Sequence, residues 1–197
     1  MHGEPIEAVK NGVQTLLTTL KQDPYALETA HVSVITFDSS ARQAVPLTDL
    51  LSFQMPALTA SGTTSLGEAL SLTASSIAKE VQKTTADTKG DWRPLVFLMT
   101  DGSPNDDWRK GLNDFKAART GVVVACAAGH DADTSVLKEI TEIVVQLDTA
   151  DSSTIKAFFK WVSASISVGS QKVESSKKEV IGLEDLPPPP PEVNVVL

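Results

Sequence analysis

Apolar residues recur at three- and four-residue steps through Ile6, Val9, Val13, Leu16, Leu17 and Leu20, the spacing of a helix that buries one face. Gly3-Glu4-Pro5 precedes them; proline suits the first turn and glutamate the positive end of the helix dipole. Asp23-Pro24 then stops the helix. His31 to Phe37 reads as a strand, Asp38-Ser39-Ser40 as a turn, and Arg42 to Val45 as a weaker strand closing a hairpin. Pro46 places that second strand at a sheet edge. Leu66, Ala69, Leu70, Ile77 and Val81 mark another helix. Beyond it, strands at Leu95 to Met99, Val122 to Ala127 and Ile143 to Leu147 alternate with helices over about 106–119, 135–141 and 152–167. Apolar strands alternating with helices predict an α/β fold of three layers, α-β-α, around a mostly parallel central sheet with one antiparallel edge strand.

From about Gly169 the pattern dissolves into polar SQKVESSKKEV and the proline run Pro187 to Pro191, which favours a polyproline II conformation. The chain thus divides into a domain over 1–169 and a polar, proline-rich tail over 170–197. The closing EVNVVL is apolar enough for a short docking strand, and a frayed end is the plain alternative.

Composition narrows the function classes. The chain has 197 residues, 41% hydrophobic and 21% charged, enough for one domain with a sizeable core. A formal net charge of −8 argues against a nucleic-acid binder, which needs a basic face. The single cysteine, Cys126, permits no intrachain disulfide and no thiolate zinc site, and reads as an inert buried thiol. The N-terminus has no signal-peptide core, and no apolar run is long enough for a membrane span. These features predict a cytoplasmic protein.

Candidate chemistry gathers where strands end. Five apolar residues, Leu95 to Met99, run into Thr100-Asp101-Gly102, and Ser61-Gly-Thr-Thr-Ser65 leads into a helix. Open α/β sheets bind ligands at the carboxyl ends of their strands. Hydroxyl and carboxylate oxygens are hard donors suited to Mg²⁺, Mn²⁺ or Ca²⁺. Taken alone, Asp101-Gly102 is an ordinary turn, Thr63 to Ser65 are helix caps, and Asp106 and Asp107 cap the following helix or add acidity to the rim of the site. Asp38 is explained by its turn, and His2, His31 and His130 lack metal-ligand spacing. Trp92 and Trp108 flank the strand as packing residues or as an aromatic rim.

SGTTSLGEAL and FLMTDGSPNDDW resemble two metal-site motifs of the von Willebrand factor A domain family, and the order of elements matches as well. GEPIEAVKNGVQ and DPYALETAHVSVITFDSSARQ place the resemblance nearest the family's bacterial tellurium-resistance members. The resemblance implies a metal-ion-dependent adhesion site in which Thr64 is the loop ligand, with Thr63 as fallback, and Asp101 the strand-end ligand. Ser65, Asp106 and Asp107 are secondary candidates for metal or rim. It implies a divalent cation, usually Mg²⁺, that keeps a position for a partner's carboxylate, and a non-enzymatic interaction module in a tellurite-resistance or stress-response system. Its partners would be other tellurium-resistance proteins or kinase- and phosphatase-like proteins.

The family's first segment, Asp-x-Ser-x-Ser, does not occur upstream of the first helix. The expectation is a chain that lacks the first central strand, with an incomplete cation site and a sheet left open beside the missing strand. EVNVVL, or a strand of another chain, would be candidates to fill it. Two other function classes stand beside the interaction module: a metal-dependent phosphohydrolase using Asp101, and a metal-free scaffold. The paired Asp-x-Asp of a phosphatase is not visible in a suitable place, and there is no phosphate-binding G-x-x-x-x-G-K-[ST] loop.

Overall fold

The computed structural model describes residues 1, 3–129, 131–175 and 186–196. His2 and His130, which the sequence gives no role, lie outside the described residues, as does much of the polar stretch after Gly169.

Helix α1 (Glu4–Gln22) follows Gly3, whose φ of 74° is one that glycine adopts without strain. Asp23 ends α1 and immediately starts α2 (Pro24–Thr29), its carboxylate accepting from Tyr25 N at 3.0 Å and Ala26 N at 3.4 Å. Asp-Pro is therefore a joint between two helices rather than the plain stop that the sequence predicts. Strands β1 (His31–Phe37) and β2 (Ala41–Asp49) form the expected antiparallel hairpin. β2 runs longer than read and passes through Pro46. Its register shifts opposite Val32 to Val34, a bulge that accommodates a residue with no N–H to donate.

Helix α3 (Leu66–Glu80) leads to β3 (Val96–Thr100), then α4 (Trp108–Ala117), β4 (Val123–Ala128), α5 (Thr134–Ile140), β5 (Val144–Leu147), α6 (Ser152–Ser175) and β6 (Asn194–Val196). Strands β3, β4 and β5 are parallel, in order, and β6 adds antiparallel to β5. The α/β class and mostly parallel layering are as the sequence predicts, with a second antiparallel edge at β6.

Two apolar cores flank the sheet. On one face Leu16, Leu17 and Leu20 of α1 and Ile155, Phe158 and Val162 of α6 cover Val124, Cys126 and Val145. On the other, Leu70 of α3, Leu112 and Phe115 of α4 and Leu137 of α5 cover Ala125, Ala127 and Val144. Trp108 is buried in this second core and Trp92 packs half-buried on the first, which favours their packing role. Burial pushes the Cys126 thiol far above its ordinary range, as expected of an inert cysteine.

α3 and α4 cross at a glycine contact. A Cβ on Gly111 would lie 2.0 Å from the carbonyl oxygen of Gly67, and one on Gly67 would lie 2.6 Å from Trp108 Cα. Only glycine at both places lets the backbones approach this closely.

Among the described residues the strands form two sheets rather than one, β1-β2 and β3-β4-β5-β6. The closing segment does not fill the space between them, contrary to the expectation for EVNVVL. Asn194, Val195 and Val196 pair with Gln146, Val145 and Val144 at the far edge. The reason is the tether: Leu186 and Val193 are buried in the α1/α6 core, and Trp161 Nε1 donates to the Pro187 carbonyl at 2.7 Å. These anchors bring the chain beside β5, and α6 itself continues past the Ser167 end read from the sequence to Ser175.

Candidate metal centre

β1 and β3 end at the same pole, and the loop 61–65 joins their ends. Ser61 Oγ donates to Asp38 Oδ2 at 2.9 Å, and Ser65 N donates to the Asp38 carbonyl at 2.8 Å. Thr63 N donates to Ser39 Oγ at 3.3 Å. Gly62, with φ of 73°, lets the loop close on Ser39, whose Oγ lies 2.0 Å from where a Cβ would stand. The Ser61 hydroxyl, more than the turn amides, holds the Asp38 carboxyl below its usual range. Asp38 is thus a clamp for the loop as well as a turn residue, a role its local sequence does not reveal.

On the other side of the loop, Asn105 grips Thr64 by both backbone groups. Its Oδ1 accepts from Thr64 N, and its own N–H donates to the Thr64 carbonyl at 3.0 Å. This fixes the Thr64 side chain over the strand-end turn, where Thr64 Oγ1 lies 3.3 Å from the position a Cβ on Gly102 would take. Buried Thr100 ties the turn from below, its hydroxyl 3.4 Å from both the N–H and the carbonyl oxygen of Gly102. The structure therefore brings Thr64 beside the Asp101-Gly102 turn. Asp101 lies at the half-exposed lip, where its Oδ2 forms an ion pair with the Met1 ammonium.

The remaining candidates separate. Asp106 accepts from Gly67 N at 3.0 Å and Glu68 N at 2.9 Å, so it caps α3 across the loop rather than the α4 helix that follows it. Both its oxygens are thereby engaged in satisfying the free amides of a helix N-terminus. Asp107 stands at the N-cap position of α4 without a side-chain cap bond. Thr63 is exposed, and Ser65 is buried at the start of α3, also without a cap bond. Thr64 and Asp101 are left as one hydroxyl and one carboxylate, both hard donors. Among the described residues no group of three or more His, Cys, Asp or Glu is placed to hold a metal ion.

The fold and this pole define a class: a three-layer α/β domain with a hydroxyl loop and a strand-end aspartate at the carboxyl ends of its strands. The chain belongs to the von Willebrand factor type A domain family, whose model matches residues 1–160. Domains of this family are generally non-enzymatic protein-interaction modules, often with a metal-ion-dependent adhesion site. Among solved structures it is similar to a von Willebrand factor type A protein from Catenulispora acidiphila, with a TM-score of 0.62 and 18% identity over 82% of this chain and 38% of that one. It is also similar to proximal thread matrix protein 1 of the mussel byssus with a zinc-occupied MIDAS motif, with a TM-score of 0.58 and 20% identity over 82% of this chain and 42% of that one. BatB from Bacteroides thetaiotaomicron aligns with a TM-score of 0.52 and 18% identity over 87% of this chain and 89% of that one. The chain spans less than half the length of the first two. No curated protein matches it. Among the described residues no helix is long and apolar enough to cross a membrane.

Proposed function

We propose that this domain binds partner proteins through a weak divalent-cation site centred on Thr64 and Asp101. The observation that supports it most is the convergence of three segments on one point: Asn105 and the 61–65 loop hold the Thr64 hydroxyl over the turn that carries Asp101. A hydroxyl and a carboxylate suit Mg²⁺ or Mn²⁺, which accept one or two protein oxygens and keep water at the other positions. When bound, the cation supplies positive charge to which a partner's carboxylate is drawn. Thr64, being neutral, leaves that charge largely uncancelled, while Asp101 provides the charged anchor. The zinc-occupied MIDAS of the mussel protein supports the type of site, not the identity of the ion.

The setting we propose is tellurite resistance or general stress response in a bacterial cytoplasm, with other tellurium-resistance proteins or kinase- and phosphatase-like proteins as partners. GEPIEAVKNGVQ, DPYALETAHVSVITFDSSARQ and LMTDGSPNDDW carry this reading through their resemblance to the tellurium-resistance protein TerY. Isothermal titration calorimetry with Mg²⁺ and Mn²⁺ tests the site. Binding with a Kd on the order of 1 mM, lost in Asp101→Ala and weakened in Thr64→Ala, is the expected result. Heat that is identical in the wild type and Asp101→Ala would refute it and favour a metal-free scaffold.

A further inference from the structure

Strands β3, β4 and β5 run parallel, so the molecule has two unlike poles. The pole opposite the Thr64 loop collects positive charge. α3 and α4 both end there, with Lys79 and Lys116 in their last turns, where a cation complements the negative end of a helix dipole. Three further cations, Lys83, Arg93 and Arg119, lie beyond the helix ends and line one groove. Among the described residues none of these three forms an ion pair or a side-chain hydrogen bond.

Backbone bonds hold the three cations in place. Asp91 N donates to the Gln82 carbonyl at 3.0 Å, and Gln82 N donates to Asp91 Oδ2 at 2.8 Å, closing the 82–91 segment into a loop that carries Lys83. Within it Gly90 N donates to Thr84 Oγ1 at 3.0 Å. Gly121 N donates to the Pro94 carbonyl at 2.9 Å, which draws the chain after α4, with Arg119, to the chain before β3, with Arg93. Asp91, the acid among the lining residues, is thus already engaged by the Gln82 amide. The floor is apolar: Ala74, Ile77 and Ala78 of α3, Val81 at its cap, and Ala117 at the end of α4. The alanines leave a notch of about 100 Å³. That is smaller than the roughly 150 Å³ cavity that admits a benzene ring, so it suits one aliphatic side chain rather than an aromatic one.

We propose that this groove docks a short acidic segment of a partner protein, with one aliphatic side chain in the alanine-lined notch and flanking carboxylates on Lys83, Arg93 and Arg119. Charge complementarity selects the partner. The chain carries 25 acids against 17 lysines and arginines, so three cations beside one engaged carboxylate oppose the sign of the whole. Guanidinium groups match carboxylates in a two-bond fork, and opposite potentials steer the encounter and suppress wrong partners. The apolar floor distinguishes such a segment from a bare anion, which gains nothing by covering Ala78 and Ala117. A long polyanion such as a nucleic acid meets the net charge of −8 beyond the patch. The docking needs no cation and lies at the far pole from Thr64 and Asp101, so it is independent of the site there.

The test is fluorescence anisotropy of a labelled Glu-Asp-Glu-Leu-Asp-Glu-Asp peptide with the full chain, in EDTA at low ionic strength. Saturable binding is expected. The double variant Arg93→Glu/Arg119→Glu, at two exposed positions, should weaken it by roughly tenfold or more. Serine in place of the peptide's leucine should cost roughly tenfold. Ala78→Leu, also at an exposed position, fills the notch and should weaken the leucine peptide while leaving the residual binding of the serine peptide unchanged. No binding, or equal affinity for the double variant, would overturn the proposal. Equal affinity of the leucine and serine peptides would do the same by reducing the groove to charge attraction alone. Tighter binding of a single-stranded oligonucleotide of equal charge would assign the patch to nucleic acid instead.

Discussion

At the residue scale, the position of Thr64 depends on one side chain. Asn105 holds both backbone groups of Thr64 across 41 residues of sequence. Asn105→Ala keeps its own N–H bond to the Thr64 carbonyl but loses the acceptor for Thr64 N, so the loop loosens while the fold stays intact. The expected outcome is faster amide exchange at Thr64, by on the order of tenfold for a lost bond of about 1 kcal/mol, with weaker Mg²⁺ binding and little change in Tm. Normal exchange at Thr64 in Asn105→Ala would show that the loop is held by Asp38 and Ser39 alone. The placement of Thr64 before α3 and of Asp101 after β3 was legible in the sequence, because hydroxyls before a helix and an aspartate after a strand are local patterns, whereas a ligand role for them is implied by the family resemblance alone. Asn105, Asp106 and the clamping role of Asp38 were not legible, because their partners lie 41, 38 or 39, and 23 residues away respectively. Local propensity assigned Asp106 to the helix beside it, whereas the chain brings it to the free amides of α3.

At the element scale, the 61–65 loop inherits its place from the way α3 meets α4. The contact of Gly67 with Gly111 sets how near the start of α3 lies to the strand-end turn. Gly111→Ala puts a methyl group against the Gly67 carbonyl, a backbone neighbour that cannot step aside as a flexible side chain would. Overpacking of this kind costs roughly 1–3 kcal/mol, and in a domain of this size that lowers Tm by about 2–12 °C. Because α3 must shift, cation binding should weaken as well, although position 111 touches neither ligand. Thermal unfolding and calorimetry on Gly111→Ala check both; an unchanged Tm would mean that the helices can separate freely. The elements themselves were largely readable, since β1, β3, β4, β5 and most helices follow from apolar spacing. α2 was hidden because Asp-Pro is both a helix terminator and a good helix start. The length of β2 was hidden by Pro46, whose missing N–H the bulge absorbs.

At the scale of the whole molecule, β6 closes the outer edge of β5. No local pattern could decide between a frayed end and a docking strand, because the choice is made by Trp161 and the α1/α6 core, which receive Pro187, Leu186 and Val193. Once these anchors are in place, the antiparallel pairing of β6 with Val144 to Gln146 follows at small additional entropic cost, since the ends of the segment are already near β5. Deleting residues 187–197 removes a Val193 that is only 3% exposed and bares the outer edge of β5. Burial of one valine and loss of a few partly exposed backbone bonds together amount to roughly 3 kcal/mol, so Tm should fall by about 6–12 °C. Trp161, losing its acceptor at Pro187, should become more accessible to a fluorescence quencher. The bared edge of β5, which carries Val144 and Val145, would have unpaired backbone groups, so the shortened chain should also self-associate, which sedimentation velocity would detect.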